Sequence, residues 1–428
     1  MNASTFDRVF PVLALLALAA GALAQDRLAF GLNPSFDAPG SRAIVFADAM
    51  ERARTLDAAG TRLFSDCELP AGTWTVEWSG AGAPELVGQV AEISRAPGRV
   101  EYAIQANARP LSVRWSGQVE NLRVWLPGAR GRAFWPPFVA IMRSLKPATL
   151  RTLDWSLPNL PPAERDGRLV APKLHVLLAN RVGCGLHYCV PVGLAEPELV
   201  ELFRTLARVR GELTLEVGNE NWNPGLWSWH WLDQQPDRVV DATAAEITRV
   251  FAIADRELGA KARHYVGGQL GNPWFLRTVL ELLPANVRVD AAGAAAYIGP
   301  RDVPATAEEA AQACRSRVEE IRAKVREHRA IATARGAAFE LYEAGQSFTF
   351  GGGVVAEAQR TETMGLAYRE LAAMLESEGV ARVNWYSFMT SQDVSNVAPF
   401  GVFESMSTTA TALPKGAAVV ELMRAAAR

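Results

Sequence analysis

The chain has 428 residues, 49% of them apolar, and 44 basic against 46 acidic side chains leave a net charge of −2. That length is too great for one small core and suits one large barrel-type domain with an insertion, or two domains. With both signs of charge well mixed, nothing draws nucleic acid or an anionic membrane surface, and neither is expected as a partner.

The first stretch reads as an export signal. Arg8 precedes the apolar run from Val9 to Ala20, and Ala22-Leu23-Ala24 before Gln25 offers small residues for cleavage. The run is short for a membrane span. Residues 1–24 are therefore expected to be removed, leaving a secreted or periplasmic chain without a stable span; an uncleaved anchor is the alternative. Export permits disulfides, and Cys184 and Cys189 are close enough in sequence to form one, although buried free thiols suit them equally. No Cys/His spacing resembles a zinc site and no His-Glu-x-x-His is present, so neither metal nor cofactor is expected.

Arg27 to Asn33 reads as a first buried strand, followed by loop and short helix near 36–56. From about Leu63 to Pro127 the texture becomes short strands, several with period-two alternation, broken by Gly, Pro, Ser or Asn. We read 63–127 as an inserted β-sandwich-like module, after a first barrel strand and connection at 25–62. Its aromatics Trp74, Trp78, Tyr102, Trp115 and Trp125 either fill its own core or stack on sugar.

After Pro127 helix and strand alternate. A helix near 136–146 leads to Leu150–Trp155, one near 171–182 to His187–Pro191, and one at 196–209 to Leu213–Val217. Helices at 242–258 and 272–283 lead to Arg263–Gly268 and Val287–Ile298. A long charged helix at 306–334 leads to the strand containing Glu343, and 361–378 leads to Arg382–Phe388. A last helix covers 415–426. With the first strand this makes eight, each followed by a helix, so residues 128–428 complete an α/β fold, a (β/α)8 TIM barrel. Right-handed crossovers bring every strand's C-terminal end to one face.

On that face the fourth strand stops in Gly218-Asn219-Glu220-Asn221-Trp222-Asn223-Pro224-Gly225. The seventh carries Phe339-Glu340-Leu341-Tyr342-Glu343-Ala344-Gly345-Gln346. Two strand-end glutamates nearly across the mouth can converge on one ligand atom, and paired carboxylates do glycosidic-bond chemistry. Glu216 shares a strand face with Glu220 and is a supporting charge or a rival to it. Glu340 has the opposite parity to Glu343 and is expected to face the helices. Asp154 competes as a sugar ligand, and Gln346 joins the substrate-binding set. Trp222, Trp227, Trp229 and Trp231 crowd one loop, and we read some of them, Trp222 and Trp227 first, as sugar platforms, with His230 and Asn223 adding hydrogen bonds.

Gly218-Asn219-Glu220-x-Trp222 with Tyr342-Glu343-x-Gly345 resembles the clan of retaining glycoside hydrolases built on (β/α)8 barrels. It is similar still more to an exported bacterial group often labelled cellulose-binding proteins, which share an inserted β-module. The resemblance covers nearly the whole mature chain. It implies Glu220 as general acid/base, Glu343 as nucleophile, and Asn219 on the sugar 2-hydroxyl. It implies Arg151 and Tyr297 as partners of Glu343, and Trp385 as the floor under the reacting sugar. Two departures bear on substrate identity: Val192, not histidine, follows Pro191, and Ala344 stands where the motif usually has glycine. The expectation is a cofactor-independent glycosidase acting on a poly- or oligosaccharide. A non-catalytic carbohydrate-binding protein on the same barrel, or a glycan-assembly scaffold working through the module, are the alternatives.

Overall fold

The computed structural model describes residues 27–35, 41–51, 59–65, 67–106, 108, 110–165, 168–348, 352–389, 400–406 and 413–427. The expected export signal, residues 1–24, lies outside them. Eight strands form a closed ring: β1 (Ala29–Leu32), β9 (Thr149–Arg151), β10 (Gly185–Val190), β11 (Leu213–Val217), β12 (Ala262–Gly268), β13 (Ala291–Ile298), β14 (Ala338–Gln346) and β15 (Arg382–Trp385). Every neighbouring pair is parallel, and β15 closes on β1 with Ala29 opposite Arg382. The fold is a (β/α)8 barrel, as its strand count and alternation predict.

β10 and β11 are buried at every position, which is why they read as unbroken apolar runs: helices cover one side and the lumen the other. The covering layer comprises α1 (Pro136–Leu145), α2 (Pro172–Val182), α3 (Glu196–Leu206), α4 (Trp227–Asp233), α5 (Val239–Leu258), α6 (Pro273–Leu282), α7 (Ala307–Ala334), α8 (Glu362–Ser377) and α9 (Pro414–Ala426). α1, α2, α3, α6 and α9 carry proline in the first two positions, where no intrahelical donor is lost. α7 and α8 start on Thr306 and Thr361, whose hydroxyls accept from the N–H groups of Glu309 and Met364.

Between β1 and β9 lie seven antiparallel strands, β2 (Gly60–Phe64), β3 (Gly72–Ser79), β4 (Ala83–Val87), β5 (Val90–Ala96), β6 (Arg99–Ile104), β7 (Leu111–Ser116) and β8 (Glu120–Trp125). They form two sheets, in the orders β2-β7-β4 and β5-β6-β3-β8. Trp74 and Tyr102 are buried in this module's own core, and Trp78, Trp115 and Trp125 pack against it half-buried. Asp48 pins the module to its stem. Its carboxylate accepts from the N–H groups of Val124 (2.8 Å) and Met50 (3.0 Å) and pairs with Arg123 at 2.9 Å.

Three local expectations change. The second barrel strand stops at Arg151, not Trp155. Leu153–Ser156 turns into a short helix that drops Trp155 between Phe46, Phe134 and His175. The sixth begins at Ala291, because Val287 closes a turn onto Pro284 and Arg288 is drawn aside to Asp255 and Asp290. The parity argument for Glu340 also fails. β14 shifts register against β13 between Ala292 and Ala295, and against β15 between Leu341 and Ala344. A bulge there resets the alternation. Glu340, Tyr342 and Glu343 all face the lumen, while Leu341 packs outward in the helix-covered core.

The lumen is charged at its floor. Arg382 on β15 reaches Glu212, just before β11, at 2.5 Å, and Arg263 on β12 bridges Glu212 (3.0 Å) and Glu340 (2.8 Å). These strands are not all neighbours, so the contacts cross the interior. Lumens of such barrels are more usually packed with branched apolar side chains.

Candidate active site

Arg151, the last residue of β9, organises the upper lumen. It is 0% exposed, and each of its guanidinium nitrogens is used. Nε and Nη2 donate to the two oxygens of Glu216 at 2.8 and 3.1 Å. Nη2 also donates to Asn219 Oδ1 at 2.7 Å, and Nη1 to Glu343 Oε1 at 2.5 Å and Asn33 Oδ1 at 3.4 Å. The guanidinium lies 4.8 Å over the ring of Tyr342. A planar fork with five donors can address these four groups at once, where a lysine could not.

Glu216 thus has a structural task. It grips Arg151 at two points, and His187 Nε2 lies 2.8 Å from its Oε2. Burial pushes this carboxyl up, but Arg151 and His187 overcome it and hold it at about 2. His187 is itself pushed down by burial, against the pull of Glu216. Fixed by Glu216, Arg151 directs Nη1 at Glu343 and shares Nη2 with Asn219.

Glu343 is 5% exposed. Arg151 takes one of its oxygens, and Tyr297, at the end of β13, donates to the other at 2.6 Å. Burial raises its carboxyl, while Arg151 and Tyr297 pull it back towards the ionised form. Glu220 stands two residues beyond Gly218, on the turn that ends β11. Its backbone adopts φ 47°, an uncommon conformation for glutamate, and such strain gathers where a side chain must be held out for use. Asn223 Nδ2 donates to its Oε2 at 2.8 Å and Tyr342 to its Oε1 at 3.4 Å. Burial first, and then the neighbouring charge of Glu343, push this carboxyl up to about 7.

Asn219 connects the two halves. Besides accepting from Arg151, its Nδ2 donates to Asn159 at 3.2 Å, and its backbone carbonyl accepts from Ser228 at 2.8 Å. Asp154 sits at the same mouth, both oxygens 3.4 Å from the Tyr386 hydroxyl. Burial and the charge of Glu343 push it up to about 7 as well. Trp222 and Trp227 are half-buried beyond β11, each with a sequestered indole N–H that has no hydrogen-bond partner among the described residues.

Arg151, Asn219, Glu220, Tyr297, Glu343 and Asp154 therefore converge. Trp385 and Gln346 do not. Trp385 is 0% exposed and stacks on Phe30 at 5.7 Å, with Tyr368 of α8 behind it, so its indole belongs to the outer core and cannot lie under a ligand. Alternation hands the mouth to the next residue, Tyr386. Gln346 is fully buried, its side-chain oxygen accepting from the same Tyr368 hydroxyl. Sequence reasoning gave no role to Tyr342, Tyr386, Asn33 and His187. Parity along β15 could have found Tyr386; no local signal marks the others. All four cysteines are buried free thiols, with Cys189 Sγ 3.5 Å from Glu216. Among the described residues no cluster of His, Cys, Asp and Glu is arranged to hold a metal ion, and no helix is long and apolar enough to cross a membrane.

No protein-family model matches the sequence, and no curated protein does. Among solved structures the chain is similar to an α-L-arabinofuranosidase from Thermotoga maritima, at 12% identity and a TM-score of 0.48, over 68% of this chain and 64% of that one. It is similar to a family 51 arabinofuranosidase from Xanthomonas axonopodis pv. citri, at 14% identity and a TM-score of 0.46, over 61% and 62%. A modular endo-β-1,4-mannanase from Cellulomonas fimi aligns at 17% identity and a TM-score of 0.39, over 64% and 68%. The chain thus spans less than two thirds of the length of the two arabinofuranosidases. These likenesses say nothing of which bond this chain acts on.

Proposed function

We propose that the protein is a retaining glycoside hydrolase acting on a poly- or oligosaccharide. The observation that carries this reading is the contrast between two carboxyls at one mouth. Glu343 has both oxygens held by Arg151 and Tyr297. Glu220 is kept protonated towards neutrality by burial and by the charge of Glu343. Paired carboxyls whose environments differ in this way divide into nucleophile and acid.

In the first step a Glu343 oxygen attacks the anomeric carbon while the Glu220 proton passes to the departing glycosidic oxygen. This leaves a glycosyl ester on Glu343 and an ionised Glu220. In the second, Glu220 takes a proton from water, whose oxygen displaces Glu343 and restores both groups. Two inversions retain the anomeric configuration. Asn219, Asp154 and Tyr386 would hold sugar hydroxyls, and the N–H groups of Trp222 and Trp227 would suit the same ligand. Export, proposed from residues 1–24, would put the enzyme where such glycans are met.

The test is kinetic and covalent. Glu343→Gln should abolish turnover. Glu220→Ala should slow natural substrates by roughly 10²–10⁴-fold, the usual worth of general acid catalysis, yet spare aryl glycosides with good leaving groups. A 2-fluoroglycosyl inhibitor should label Glu343 in the intact protein. Glycan binding without product from the wild-type chain would replace this reading with that of a non-catalytic carbohydrate-binding protein.

A further inference from the structure

The Tyr342 hydroxyl has one hydrogen to give and two acceptors within reach, the carbonyl of Gly268 at 3.3 Å and Oε1 of Glu220 at 3.4 Å. It cannot serve both fully. The ring that carries it is held fast. Tyr342 is 1% exposed, the Arg151 guanidinium lies 4.8 Å from its centroid, and the Tyr265 ring meets it edge-on at 6.3 Å. Tyr265 is itself tied to the carbonyl of Glu340 at 2.9 Å. The end of β12 passes close by, so that a β-carbon on Gly267 would stand 3.5 Å from the Tyr342 ring. Packing leaves the hydroxyl hydrogen its torsion and little else.

The other oxygen of Glu220 is already committed. Asn223 Oδ1 accepts from the N–H of Gly225 at 3.0 Å, which fixes the orientation of that amide and turns its NH2 towards Glu220. Nδ2 then donates to Oε2 at 2.8 Å. An oxygen faced by an amide donor is the wrong place for a proton, so protonated Glu220 carries its hydrogen on Oε1, the oxygen nearest Tyr342. Two hydrogens cannot point at one another across that gap. While Glu220 is a neutral acid, Tyr342 therefore turns its hydrogen to Gly268. Once Glu220 is a carboxylate, Oε1 becomes the stronger acceptor of the two.

We propose that Tyr342 is a positioning residue for the acid/base: its hydroxyl donates to the Gly268 carbonyl while Glu220 holds its proton on Oε1, and swings to Oε1 when that proton has left. This rests on the reading of Glu220 as the acid/base. The swing transfers no proton and breaks no covalent bond. It gives ionised Glu220 a donor just after its proton has passed to the departing oxygen, and withdraws that donor when water hands a proton back. Tyr297, whose hydroxyl is given to Glu343 at 2.6 Å, serves the other carboxyl.

The test is the ionisation of Glu220 in the full-length free protein, followed by NMR of carboxyl-labelled glutamate, with Glu220→Gln marking its resonance. Tyr342→Phe removes a donor available only to the ionised form, so Glu220 should keep its proton to higher pH. The midpoint should rise by about one pH unit, the low end for a hydrogen bond to a charge. The alkaline limb of kcat/KM should rise with it, because that profile reports groups of the free enzyme. A ring-fluorinated tyrosine in place of Tyr342 keeps the shape and donates more strongly, so it should move both downwards. A side chain that only fills space would lower activity equally at every pH, with no reversal of sign between the two variants. An unmoved or lowered midpoint in Tyr342→Phe, or an unmoved or raised one in the fluorinated protein, overturns the proposal. The fluorinated protein decides the matter if Tyr342→Phe fails to fold. A wild-type chain that hydrolyses no glycan removes the glycosidase reading, and the NMR midpoints still decide what Tyr342 does for Glu220.

Discussion

At the scale of single residues, the mouth is governed by which carboxyl keeps its proton. As the proposed acid, Glu220 would act only while protonated, so kcat/KM should fall as pH rises through about 7. The acid limb would belong to Glu343, the proposed nucleophile, which must be ionised, and burial would place that limb above the ordinary carboxylate range. Glu220→Gln should remove the alkaline limb and leave the other. A pH profile on an activated substrate checks both. Glu216 has a different task, that of setting Arg151. Glu216→Gln breaks a buried two-point ion pair and should cost about 3–5 kcal/mol of stability. It should also lower kcat more than it raises KM, since Arg151 loses its aim at Glu343. Thermal melts with steady-state kinetics measure the two effects, and a variant that melts early but retains kcat would confine Glu216 to stability.

At the scale of elements, the decisive device is the bulge in β14, which turns Glu343 inward next to Tyr342. It depends on a close approach at Gly293 of β13, where a β-carbon would lie 1.6 Å from the carbonyl oxygen of Glu340. Gly293→Ala therefore forces the two strands apart and should cost more than the about 1–3 kcal/mol of ordinary overpacking. Insoluble protein, or a melt several degrees lower, is the expected result. This marks where sequence reading reaches its limit. Eight alternating strands were legible because buried parallel strands read as apolar runs, and Glu220 because an apolar run breaks off in amides. Arg151 and Tyr297 were legible only as strand ends of the right residue type. The bulge was not legible, since Leu341-Tyr342-Glu343 carries no sign that alternation will slip. Trp385 misled for a related reason. Its position on the eighth strand was right, but one residue of parity decides whether an aromatic lines a mouth or a core, and the outer core against Phe30 and Tyr368 claimed it.

At the scale of the molecule, the barrel and the inserted sheets are two cores that meet along residues 43–49, with Trp135 packed against both. The larger core runs through the helices and barrel strands; the smaller is centred on Trp74, Leu111 and Val124. Asp48 is the pin between them. Asp48→Ala leaves the Val124 N–H without its acceptor, at a cost of about 1–3 kcal/mol. Hydrogen exchange should quicken at Val124 and its strand while β10 and β11 keep their protection, as separate cooperative units require. Uniform loss of protection would instead show the two cores unfolding together.

Ring closure has a temporal consequence. The seam pairs Ala29 with Arg382 and Leu32 with Trp385, partners from widely separated parts of the chain. During synthesis the earliest strand must wait, unmatched along one edge, until the ribosome has made the latest, and so long a loop closes slowly. A newborn chain is thus held short of its native form until β15 has been made, which is the state that a holding chaperone handles.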